Sequence, residues 1–92
     1  MNTKELAAAV AARTGLNLSA AHDSVAAVLD LIAAEVADGE PVNLAGFGVF
    51  EARRRSARTG RDPRSGEPIA IAERRTPGFR AAAAFRQRVN AG

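Results

Sequence analysis

The sequence predicts an α+β subunit of element order ααβββα, and three observations carry that expectation. Two alanine-rich stretches with apolar residues one turn apart open the chain. Short alternating stretches punctuated by glycine and proline fill its middle, and a helical period returns near the C-terminus. A length of 92 residues suits one domain over 1–92.

Asn2 followed by Glu5 resembles a capping box, Leu6 and Val10 lie one turn apart, and Gly15 stops the pattern, so a helix is expected over 3–14. Asn17 or Ser19 can cap the next helix. There Leu18, Val25, Val28, Leu29, Ile32 and Val36 keep the period until Asp38-Gly39, and Leu31 widens the apolar face. Pro41-Val42-Asn43-Leu44 alternates as a strand does. The stretch AGFGVF, Ala45 to Phe50, combines glycines with two core-sized aromatics, and Phe50 and Ala52 then alternate with Val49 and Glu51. Residues 53–76 read as one long basic hairpin. Thr59-Gly60 and Ser65-Gly66 are turn signals on either side of Arg61-Asp62-Pro63-Arg64, and Ile69 and Ile71 alternate with alanines on the way back. After Thr76-Pro77-Gly78, the stretch Phe79 to Val89 reads as a last helix.

Charge divides the chain. Residues 1–52 carry two basic against seven acidic side chains, a balance of −5, whereas residues 53–80 carry nine against three, a balance of +6. Such segregation points to a polyanionic partner met by the second half. Cysteine is absent, which removes disulfides and thiolate metal sites. There is no long apolar run for a membrane span and no signal-like N-terminus, so a cytoplasmic protein with no membrane partner is expected.

Without the basic hairpin, 68 residues remain as a body over 1–52 and 77–92. A body below about 70–80 residues seldom supplies enough core without disulfides, metal or a partner chain. A second copy is the most economical partner. Val28, Leu29, Ile32, Val36, Phe47, Phe50 and Phe79 are the residues expected in the dimer core.

Nothing in the sequence supports catalysis, a cofactor, a metal or a small-molecule substrate. His22 has no nucleophile or orienting carboxylate in a recognisable motif. Gly46-Phe47-Gly48 is too short for a nucleotide loop, and the acidic residues lack metal spacing. The hairpin is the informative segment. Arginine presents a planar fork that suits phosphate oxygens. A two-stranded ribbon is narrow enough for a DNA groove, and arginines favour the negative potential of a narrow minor groove. Pro63 has two readings on residue type alone: a turn former, or an apolar wedge between base steps.

GFGVF, RTGRDPRSGE and PGFRA together resemble the bacterial histone-like HU and integration host factor family of DNA-bending proteins, and the likeness runs from MNTKEL to RVN. The resemblance implies an intertwined homodimer with a helical base and two extended β-hairpin arms that embrace duplex DNA through the minor groove. By position it implies that Arg53, Arg55, Arg58 and Arg61 approach backbone and groove, with Asp62 and Arg64 beside them at the tip. Pro63 matches the intercalating residue, Ile69 and Ile71 the returning strand, and Arg75 and Arg80 basic positions near the arm base.

Two departures stand out. Asp62 replaces the family's usual asparagine, where it either repels DNA or organises the tip through Arg61 or Arg64. Thr3, Leu18 and Ala83 occupy places where HU proteins often carry lysine, which implies a shorter footprint; only one of the thirteen basic residues is lysine. The function implied is nonspecific DNA bending and compaction in the nucleoid. The alternatives are a site-specific bender resembling integration host factor and an RNA-binding protein, although the arm lacks the exposed aromatics that RNA bases favour.

Overall fold

The computed structural model describes residues 1–91; Gly92, the last residue of the expected body, lies outside them. Contacts divide the chain into a unit of residues Met1–Glu35 and a second from Val36 onward.

The first unit begins with α1 (Thr3–Thr14), capped as its sequence suggests: the Asn2 side chain accepts from the Glu5 N–H at 2.8 Å, and the Gly15 N–H closes the far end on Ala11. Helix α2 (Leu18–Ala37) is capped by Asn17 rather than Ser19, because Asn17 Oδ1 accepts from the Ala20 N–H at 2.8 Å. Ala7 and Ala21 are fully buried and Val25 nearly so.

The second unit holds the end of α2, five strands and α3 (Ala83–Ala91). Strands β1 (Val42–Leu44), β2 (Gly48–Arg55) and β5 (Arg74–Ala81) form an antiparallel sheet in the order β1-β2-β5. Strands β3 (Arg58–Arg61) and β4 (Pro68–Ile71) form a separate two-stranded ribbon. Pro77 is tolerated within β5 because that strand lies at the sheet edge, where a missing donor leaves no ladder bond unmade.

The glycines of GFGVF have distinct tasks. Gly46 takes a left-handed φ of 76° in the turn between β1 and β2. At Gly48 a Cβ would meet the Arg80 carbonyl oxygen and the Phe79 ring at 2.6 Å, so only glycine lets that ring lie against the strand. Phe50 and Phe79 face each other across the ladder, ring centroids 4.7 Å apart, and Phe47 stacks on Phe85 at 4.9 Å.

The last helix starts later than the sequence suggests. Phe79 to Ala81 continue β5, paired through Phe50↔Phe79 and Gly48↔Ala81, and helix begins at Ala83. The cross-strand ladder overrides the helical propensity of the alanine-rich stretch. At the junction the Ala82 N–H donates to the Phe47 carbonyl at 2.9 Å, which ends the strand and starts the helix against the GFG turn.

Apart from Ala7 and Ala21, no described side chain is fully buried. Of the residues expected in a dimer core, Val36 is buried and Ile32 and Phe50 are half-buried. Val28 is 54% exposed, Leu29 49%, Phe47 44% and Phe79 36%, and neighbouring Leu31 is 65% exposed. Covering such a side chain is worth about 1.5–3 kcal/mol, so the single chain leaves much of its apolar stabilisation unrealised.

Candidate nucleic-acid interface

The basic segment is built in three parts: a base in the three-stranded sheet, an elbow, and a tip. At the base, Arg53, Arg54 and Arg55 on β2 stand opposite Thr76, Arg75 and Arg74 on β5. The Arg53 side chain lies across Gly78, close enough that a Cβ there would strike its guanidinium. Like charges directly opposite each other destabilise a ladder, and the first such pair, Arg54↔Arg75, is relieved on both sides. Arg54 Nε lies 2.9 Å from a Glu73 carboxylate oxygen. Arg75 Nη2 donates to the Ala37 carbonyl at 3.1 Å and lies 3.4 Å from that of Val36, the last residues of α2. A cation there suits the partial negative charge of a helix C-terminal end.

Beyond the base the ladder stops for two residues on each strand, Ser56-Ala57 and Ala72-Glu73, and resumes in the same register from Arg58↔Ile71 to Arg61↔Pro68. Ile71 folds over Gly60, and Ile69 is 42% exposed.

The tip is a miniature capped turn. The Asp62 N–H donates to the Glu67 carbonyl and the Gly66 N–H to the Asp62 carbonyl, both at 2.8 Å. Asp62 Oδ1 accepts from the Arg64 N–H at 2.8 Å, as an N-cap does, which leaves Pro63 at the first turn position, where its missing donor costs nothing. Arg61 Nη1 fastens the far side to the Gly66 carbonyl at 2.9 Å. Asp62 therefore organises the tip through the Arg64 backbone, not through a charge pair with the Arg61 or Arg64 side chain. Pro63 and the Arg64 side chain are exposed.

The structure brings Arg61, Asp62, Pro63 and Arg64 together in one tip and places Arg58, Ile69 and Ile71 on the ribbon behind it. Arg53 and Arg80 lie in the three-stranded sheet, and Arg80 faces Val49. Arg54 and Arg74 were absent from the expected set. The antiparallel register, counted back from the tip, is the signal that places them opposite Arg75 and Arg55. Thr3, Leu18 and Ala83 are exposed and uncharged.

A helix pair followed by a three-stranded sheet whose central hairpin continues as an arginine-lined ribbon defines a β-ribbon class of basic binding protein. The family model described as bacterial DNA-binding protein matches residues 1–90. The chain belongs to that family, which includes HU and integration host factor. It is 42% identical over 90 residues to DNA-binding protein HU-beta 2 of Neisseria meningitidis, covering 98% of this chain and 99% of that one. It is 43% identical over 86 residues to the integration host factor α subunit of Phenylobacterium zucineum, covering 94% and 86%. Among solved structures, an Anabaena HU–DNA cocrystal structure superimposes with a TM-score of 0.87 at 39% identity, covering both chains completely.

Proposed function

We propose that this chain forms a homodimer that binds double-stranded DNA without sequence specificity, lays its two arms in the minor groove, and bends the duplex by inserting Pro63 between base steps. The observation that supports this most directly is the tip: the Asp62-capped turn leaves the Pro63 ring exposed at the end of an arginine-lined ribbon. The exposed Val28 and Leu29 of α2 and, in the second unit, the exposed Phe47 and Phe79 support the shared core. Residues 53–76 act as the DNA-binding arm, and the remainder is the dimerisation body. No described helix is long and apolar enough to cross a membrane, and the site of action is the cytoplasmic nucleoid.

A gel shift of the purified single chain against intact duplex, nicked duplex and structured RNA, at two salt concentrations, tests the reading. Duplex binding indifferent to sequence, tightened by a nick and weakened steeply by salt is the expected result. Preference for structured RNA, or for one duplex sequence over all others, would overturn it.

A further inference from the structure

The elbow contains a like-charge pair that nothing among the described residues relieves. Arg55 and Arg74 are directly opposite on β2 and β5, one rung beyond Arg54 and Arg75. On that neighbouring rung the charges are answered by Glu73 and by the carbonyl end of α2. Among the described residues, neither the Arg55 nor the Arg74 side chain has a hydrogen-bond or ion-pair partner. One rung outward, the ladder lapses at Ser56-Ala57 and Ala72-Glu73. The lapse involves no slip of register, since Arg55↔Arg74 and Arg58↔Ile71 belong to one continuous alignment. Arg55, Arg58 and Arg74, with Ser56 and Thr76, line a concavity of about 300 Å³ at this point. Several guanidiniums and two hydroxyl-bearing residues around an open concavity are the donor chemistry of a phosphate seat.

We propose that Arg55 and Arg74 seat a single phosphate group, and that its arrival closes the lapsed ladder and stiffens the arm. This rests on the DNA-binding reading, in which the phosphate is one diester of the duplex backbone. A free oligophosphate offers the same chemistry. Two unanswered cations on the last rung before the lapse disfavour continuing the ladder beyond it, and one bridging anion turns that repulsion into two charge-assisted contacts. The arm is thus loosest at its elbow in free protein and firm on DNA.

Amide hydrogen exchange at Ser56, Ala57, Ala72 and Glu73, followed by NMR, tests the seat in the parent, Arg74→Gln and Arg74→Lys. In the parent, a short duplex should slow these amides about tenfold, the effect of one charge-assisted contact on a local opening. Arg74→Gln should reverse the pattern. Removing the repulsion slows exchange in free protein, while removing the ligand abolishes the further slowing on DNA. Arg74→Lys should restore most of it. Protection by sodium tripolyphosphate alone supports a seat complete in itself, and protection by duplex alone supports one to which the duplex must present the group. Undiminished protection in duplex-bound Arg74→Gln, or none in duplex-bound parent protein, overturns the seat and leaves DNA binding intact. A parent protein that does not shift the duplex at all refutes the functional reading itself.

Discussion

The Asp62 carboxylate accepts a hydrogen bond from the Arg64 backbone N–H at 2.8 Å and so caps the turn that carries Pro63. An asparagine side chain offers the same acceptor oxygen in the same place. Asp62→Asn therefore keeps the turn and removes only the charge. On DNA it should tighten binding by about two- to fivefold, the size of one exposed charge interaction, and most at low salt, where screening is weakest. Asp62→Ala, which loses the cap at about 1 kcal/mol, should loosen the tip and weaken binding. Titrations of both variants at two salt concentrations check this. Weaker binding by Asp62→Asn would show that the charge itself supports the tip.

Arg75 is the arm-base arginine whose Nη2 is already directed elsewhere, to the carbonyl end of α2. Arg75→Ala should cost about 0.3–1 kcal/mol of stability, seen as a small fall in Tm. Because that nitrogen holds the guanidinium at the helix end, the salt slope of DNA binding should hardly change. A slope reduced as far as by loss of Arg58 would make Arg75 a phosphate contact first.

The proposed shared core is tested at Ile32, half-buried in one chain and flanked on α2 by exposed Val28, Leu29 and Leu31. Ile32→Asp should abolish the folded dimer and DNA binding together, since an unpaired buried charge costs several kcal/mol or more. Sedimentation alongside a gel shift measures both. A folded monomer that binds DNA normally would rule out a core made by two chains.

The helices and the basic segment were legible in the sequence because their signals are local: Asn2 and Glu5 mark a cap, Gly15 a stop, and the arginine run a ribbon. Phe79 was misplaced for the opposite reason. Alanine-rich sequence follows it, and only the distant partner Phe50 reveals that it is a strand residue. Asp62 left a choice between repulsion and turn support, since a carboxylate does either; backbone geometry shows the turn contact. Arg54 and Arg74 looked like any other arginines until register gave one a carboxylate neighbour and the other an opposing cation.

Salt dependence separates ribbon from body. If Arg55 and Arg58 neutralise phosphates, log affinity falls with log salt at about −0.9 per phosphate contacted. Alanine at either position should lower that slope by about one contact. Both side chains are exposed, so Tm should stay near the parent value. An unaltered slope in both variants would move the contact surface away from the arm.

The central claim is that Pro63 enters the base stack. For minor-groove benders, HU and integration host factor among them, unstacking a base step costs about a few kcal/mol, offset by contacts along the bent duplex. Alanine at position 63 keeps the arginines and removes the rigid ring. Fluorescence energy transfer between the two ends of a short duplex, measured with parent protein and with Pro63→Ala at saturation, reads the bend directly. The account predicts close ends with the parent protein, and ends farther apart with the variant despite nearly unchanged salt-dependent affinity. It also predicts that the variant loses preference for nicked duplex. Equal energy transfer with both proteins would contradict it and leave Pro63 as a turn residue alone.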